Sequence, residues 1–248
     1  QGRRLTFDPS VAGAYGRLLA GQWNEPETHL FLNRMADSTT GVTFLDVGAS
    51  VGAMVLDLAA HPNVRSIIAF EPHPPSADVC RRSARLNGWS HVEVREVAVG
   101  ATPGTGRLTV EPASPLGGRL ARTIAGQGRQ VVVDVSTVDR EASSVEGPCL
   151  MLIDVEGGEL DVLNGARAFV ERTRPVIVFE YNALTRAHFD LGQVRALLGS
   201  DFDIWRLKVD GTLDRCYQDA WNCVAVPLAS PFHAAASTLV ARSARKDS

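Results

Sequence analysis

Short apolar runs rich in valine, isoleucine and leucine recur along the chain, and most are followed by a stretch with helical spacing. VTFLDVG (42–48) predicts a strand ending in glycine, and AMVLDLAAH (53–61) the helix after it. SIIAFEP (66–72) predicts a second strand with a helix over 75–88 behind it, and HVEVREVAVG (91–100) a third. CLMLIDVEGG (149–158) and RPVIVFEYN (174–182) add two more, joined by a helix over ELDVLNGARAFVER (159–172). The runs are continuous rather than alternating, which marks strands covered on both faces. Strand–helix repetition of this kind implies right-handed crossovers and an open, mostly parallel sheet of the α/β class.

Two regions break the rhythm. Glycine and proline are dense between 101 and 146, where RLTVE (107–111) and QVVVDVS (130–136) predict a β-rich insertion over one end of the sheet. After 200, FDIWRLKV (202–209), a turn at Asp210-Gly211 and WNCVAVP (221–227) predict a closing antiparallel pair. The first 40 residues read as two helices, over 11–20 and 25–37, packed outside the sheet. The expected organisation is an N-terminal helical cap over 1–41, a main domain over 42–228 and a flexible tail over 229–248.

With 248 residues, 45% of them hydrophobic, the chain has enough material for one large core. A net charge of -3 gives no pull toward nucleic acid or anionic membrane. No apolar run reaches the ~18 residues of a membrane span. Cys80, Cys149, Cys216 and Cys223 show neither C-x-x-C nor zinc-like spacing, which fits a reduced, cytoplasmic setting. Neither a nucleic acid nor a membrane is therefore expected as a partner.

The first strand runs into DVGASVG, which sets Asp46 ahead of Gly48, Ser50 and Gly52. Ligands of open α/β sheets bind at the carboxyl ends of strands, where glycine lets them approach the backbone. A dinucleotide loop, G-x-G-x-x-G, would place glycines at 48, 50 and 53, but Ser50 and Ala53 stand at the last two. The G-x-x-x-G spacing behind an acid suits S-adenosylmethionine better: the loop meets its carboxylate and Asp46 its ammonium. Glu71, at the tip of the second strand, is placed to accept both ribose hydroxyls. A nicotinamide-dependent oxidoreductase remains an alternative, as does a binding module without catalysis.

Three blocks, FLDVGASVG (44–52), AFEPHP (69–74) with RLNG (85–88), and LIDVEGGELDVLNGA (152–166) followed by RPVIVFEYN, resemble the FkbM family of S-adenosylmethionine-dependent methyltransferases. The resemblance spans about 44–182. It implies a class I, Rossmann-like methyltransferase sheet of seven strands with the last antiparallel. It also implies O-methylation of a small molecule, a sugar or a natural-product intermediate. The cofactor site it implies is lined by Asp46, Gly48, Ser50, Gly52, Glu71, Pro72 and Ala98. The chain departs from the family at Ser50 and His73, where asparagine is usual, at Leu152, where lysine is usual, and at Gly158, where alanine is.

An alcohol is a weak nucleophile at neutral pH, so methyl transfer to oxygen needs a group that positions it and takes its proton. Asp154, at the tip of the fourth strand, is the first candidate. Glu156 is the second, sharing a face with Asp154 if the extended geometry continues. Glu180, at the tip of the fifth strand, is the third. Glu159 reads as a helix cap. In an alternative mechanism Asp154, Glu180 and Asn182 hold Mg²⁺, which acidifies the substrate hydroxyl. In WNEPETH (23–29), Glu25 and Glu27 either cap a helix or belong to a segment that closes over cofactor and acceptor with Trp23 stacking. Trp221 and Asn222 read as packing and turn residues, with the acceptor pocket as the other possibility.

Overall fold

The computed structural model describes residues 2–110, 118–121 and 129–241. A 3-10 segment, Pro9–Ala20, and α1 (Pro26–Asp37) precede β1 (Val42–Val47), α2 (Ala53–Leu58), β2 (Val64–Phe70), α3 (Pro74–Leu86) and β3 (Val92–Arg95). An excursion then carries β4 (Ala98–Val99), β5 (Gly104–Val110), β6 (Gly118–Ala121) and β7 (Arg129–Ser136), and α4 (Val138–Glu141) returns the chain to β8 (Cys149–Ile153). There follow α5 (Glu159–Asn164), α6 (Arg167–Thr173), β9 (Val176–Glu180), α7 (Leu191–Leu198) and β10 (Phe202–Leu207). β11 (Leu213–Asp214), β12 (Asn222–Pro227) and α8 (His233–Thr238) complete the order.

The main sheet has the order β11-β10-β12-β9-β8-β1-β2-β3. The strands from β3 to β9 run parallel, and β12 is antiparallel to both of its neighbours. Winding proceeds outward from β1 in one direction and from β8 in the other. The crevice at the carboxyl ends of these two strands is the switch point where such sheets bind ligands. One face of the sheet, with Phe44, Leu152, Val178 and Val224, packs on α1, α2 and α8 through Phe31, Met35, Leu58 and Ala236. The other, with Leu45, Met151, Phe179 and Cys223, packs on α5 to α7 through Val162, Phe169 and Val194. Burial on both sides is the physical reason the central strands are continuous apolar runs.

Several boundaries differ from the sequence reading. The third run divides at residues 96–97 into β3, in the main sheet, and β4, which joins the second sheet of order β4-β7-β5-β6. That second sheet is the expected β-rich insertion; Glu111, assigned to one of its strands, lies outside the described residues. The helix expected over 159–172 divides at Gly165 into α5 and α6; the Gly165 carbonyl accepts the Asp139 N–H, and the Gly100 carbonyl lies where a Cβ at 165 would stand. The Asp210-Gly211 turn leads β10 into the short β11, and β12 closes on β10 only afterwards. The first N-terminal helix is 3-10 and kinked at Val11 and Gly16. The segment read as a tail from 229 instead holds α8, anchored by buried Phe232 and Ala236, with Val240 bridged to Leu213; 242–248 lie outside the described residues. No helix among the described residues is long and apolar enough to cross a membrane.

Candidate active site

The loop after β1 is shaped by contacts only glycine permits. Gly48 has φ +95°, and a Cβ there would collide with the Asp154 carbonyl; Gly52 has φ +85°, and its Cβ would lie 2.6 Å from Cys80 Sγ. The Gly48 and Ala49 N–H groups donate to the Phe70 carbonyl, drawing the loop across the tip of β2. Glu71 is fixed there: Oε2 accepts the Ser50 N–H and Oε1 the His73 N–H, both at 2.8 Å. Each oxygen keeps a second lone pair for a ligand hydroxyl. Asp46 is also buried, and its Oδ2 has no hydrogen-bond partner among the described residues. Burial, with the neighbouring Glu71 charge, pushes Asp46 up to about 7, and burial pushes Glu71 to about 7 against its two N–H donors. An orphaned acid beside a glycine cradle suits a cationic group; the adjacent acid suits vicinal hydroxyls.

The other candidates of this set are less uniform. Pro72 follows Glu71 and is half-buried. His73 precedes α3 with its Nδ1 3.0 Å from Ser76 Oγ, and burial lowers its pKa. Ala98 packs with Leu108 and Val133 in the small core of the second sheet.

Across β8, β9 and β12 the register brings a polar row together. Ile153 pairs with Phe179, which sets Asp154 level with Glu180, and Glu180 pairs with Asn222. The Asp154 N–H continues the ladder to the Val47 carbonyl. Side chains alternate along strands, so Asp154, Glu180 and Asn222 share the face of Leu152, Val178 and Val224, as does Asp46. Asp154 is half-buried, and its carboxyl is held well above the usual range by burial, then by Glu25, Glu180, Glu156 and Glu159. A carboxylate of raised basicity is suited to take a proton.

The condition under which Glu156 would share a face with Asp154 is not met. The strand ends at Ile153, and Glu156 (φ +58°) and Gly157 (φ +105°) are left-handed, so strand alternation does not extend to it. Glu159 stands in the first turn of α5, where an acid complements the helix start, and it also acts on the loop before it: fully buried, its Oε1 accepts the Val155 and Gly157 N–H groups at 3.2 and 3.0 Å and fastens the loop carrying Glu156. Burial raises its pKa. Asn182 is committed elsewhere. Its Nδ2 donates to Glu180 Oε1 at 2.6 Å, and its Oδ1, the atom that would face a cation, accepts the Leu184 and Thr185 N–H groups. Among the described residues no group of three or more His, Cys, Asp or Glu side chains is arranged to hold a metal.

The N-terminal segment supplies a residue whose place the sequence left open. Glu25 begins α1 at φ +50° and makes no side-chain cap to its backbone. Its Oε1 accepts Trp221 Nε1 at 3.0 Å and its Oε2 accepts Asn222 Nδ2 at 2.7 Å. These partners lie 196 and 197 residues away, so no local pattern announces them. Trp23 stacks on His29 at 4.3 Å, and His29 Nδ1 lies 2.8 Å from buried Asp57, which also pairs with Arg3. The indole of Trp23 thus braces the segment against α2.

Residues 46–208 match the family model of the methyltransferase FkbM domain. The hexuronic acid methyltransferase AglP of Haloferax volcanii is 29% identical over 135 residues, covering 54% of this chain and 53% of that protein. Methyltransferase 1 of Beauveria bassiana is 25% identical over 141 residues, covering 49% of this chain and 57% of that protein. The chain thus spans about half the length of these curated relatives. Among solved structures, methyltransferase FkbM from Methylobacillus flagellatus is 19% identical over 76% of this chain and 43% of that one, with a TM-score of 0.50, a likeness of fold.

Proposed function

The chain belongs to the FkbM methyltransferase family, and on that premise we propose that it transfers the methyl group of S-adenosylmethionine to a hydroxyl oxygen of a sugar-like small molecule. The observation that carries this reading is the buried Asp46–Glu71 pair, one oxygen unpartnered, beside half-buried Asp154 at the switch point of the sheet. When bound, S-adenosylmethionine supplies an electrophilic sulfonium methyl. Asp46 would hold its ammonium and Glu71 its ribose hydroxyls, with the glycine loop admitting its amino-acid end. Asp154 would orient the acceptor hydroxyl and take the proton that the oxygen loses on accepting the methyl group. Glu180, in the same row, adds negative charge that strengthens Asp154 as a base. The sugar class is supported by the relative that acts on hexuronic acid.

Calorimetry with adenosylhomocysteine and with NAD tests the cofactor: tight binding of the first and none of the second is expected, and the reverse would overturn the reading. With labelled S-adenosylmethionine and a panel of glycosides, Asp154→Asn is expected to lower kcat at least about 100-fold while adenosylhomocysteine binds as before. Unchanged turnover in Asp154→Asn would move the base to another residue.

A further inference from the structure

We propose that Trp221 is the platform on which the acceptor's pyranose ring rests, with Glu25 as the positioning residue that fixes the indole. This rests on the sugar-hydroxyl reading above and adds to it a surface for the ring. Trp221 stands one residue before Asn222, the β12 member of the polar row that holds Glu180 and Asp154. Two strand spacings, roughly 10 Å, separate that end of the row from Asp154. The backbone at Trp221 is fixed, because its carbonyl accepts the Tyr181 N–H at 2.8 Å.

The indole is nevertheless 50% exposed, between Ala220 at 5% and Asn222 at 2%. Its polar edge is tied down: Nε1 donates to Glu25 Oε1, while Glu25 Oε2 is held by Asn222 Nδ2 and by Thr28 Oγ1 at 3.2 Å. An indole anchored by its N–H and bare on its apolar body is ordered in advance, so a ligand that stacks on it loses little side-chain freedom. The complementary ligand has an apolar face and a polar rim. A pyranose has both: the C–H bonds of one face meet the indole, and the rim hydroxyls donate to carboxylates such as Glu25.

The test uses the full chain saturated with adenosylhomocysteine, and methyl hexopyranosides of glucose, galactose and mannose as probes. The Trp221 Nε1–H signal in ¹H–¹⁵N NMR, assigned by its loss in Trp221→Phe, is the readout. A saturable shift with at least one glycoside is expected, with glycoside affinity by calorimetry weakened about tenfold or more in Trp221→Ala. Glu25→Gln is expected to shift or broaden the free indole signal and weaken binding, and Glu25→Asp to restore both in part. Circular dichroism is expected to show all variants folded, since the indole is half in solvent.

A signal unmoved by every probe overturns the proposal. So does an unmoved signal in an enzyme that methylates one of the glycosides, which would leave the methyl-transfer reading standing. Saturable shifts without methyl transfer would uphold the platform and tell against the transfer reading instead.

Discussion

Asp46 and Glu71 tie the stability of the ligand-free chain to pH. Both carboxyls titrate near 7 when folded, whereas unfolded carboxyls titrate near ~4. Between those values the folded chain binds more protons than the unfolded one, so stability falls as pH rises. The stabilising protonation is lost as pH passes through about 7. The melting temperature of the ligand-free protein is expected to drop between pH 6 and pH 8, and Asp46→Asn to flatten that slope. An unchanged slope in Asp46→Asn would show that other groups set it. Gly48 offers a steric test of the same loop. Alanine there adds a Cβ against the Asp154 carbonyl in left-handed backbone, whereas Gly88, also left-handed at φ +72°, has open space around it. Gly48→Ala is expected to cost more than about 3 kcal/mol in urea unfolding, and Gly88→Ala about 1 kcal/mol.

At the scale of elements, much was legible because burial on both faces writes itself as continuous apolar runs: β1, β2, β8 and β9 stand where those runs are. The boundaries were not legible. Helical spacing continues through Gly165 to Phe169 and Val170, and nothing local announces that the Gly165 carbonyl is taken by the distant Asp139 N–H. The acidic motif after β8 hides its geometry in the same way, since alternation past Asp154 is undone by two left-handed residues. Glu159 then acts as the brace of that loop, a role its position at a helix start masks. Glutamine preserves an oxygen to accept the Val155 and Gly157 N–H groups; alanine removes it. Glu159→Gln is therefore expected to keep most activity, and Glu159→Ala to lose about tenfold or more. Hydrogen exchange at 155–157 should quicken only in the alanine variant. Equal exchange in both would separate Glu159 from the loop.

At the scale of the molecule, the glycine loop and the N-terminal segment share a small core: Val11 and Tyr15 pack against Val51 of the loop and Val79 of α3. The Tyr15 hydroxyl links the segment to itself, accepting the Asp8 N–H at 2.8 Å and donating to the Thr6 carbonyl at 2.9 Å, and Thr6 in turn bonds Ser83. The contacts with Val51, Val79 and Ser83 join residues dozens of positions apart, so the sequence showed that these segments were apolar in part but not which surface they cover. The packing makes the segment a support for the glycine loop, and what orders one orders the other. Adenosylhomocysteine is expected to slow amide exchange in residues 9–20 along with 48–52. Tyr15→Ala should then lower both the melting temperature and adenosylhomocysteine affinity, the latter by about tenfold, as a lost core contact of ~1.4 kcal/mol would. Tyr15→Phe, which keeps the ring against Val51 and loses only the hydroxyl bonds, should bind nearly as wild type. Were Tyr15→Ala to melt early yet bind adenosylhomocysteine undiminished, the segment would support the fold without shaping the glycine loop.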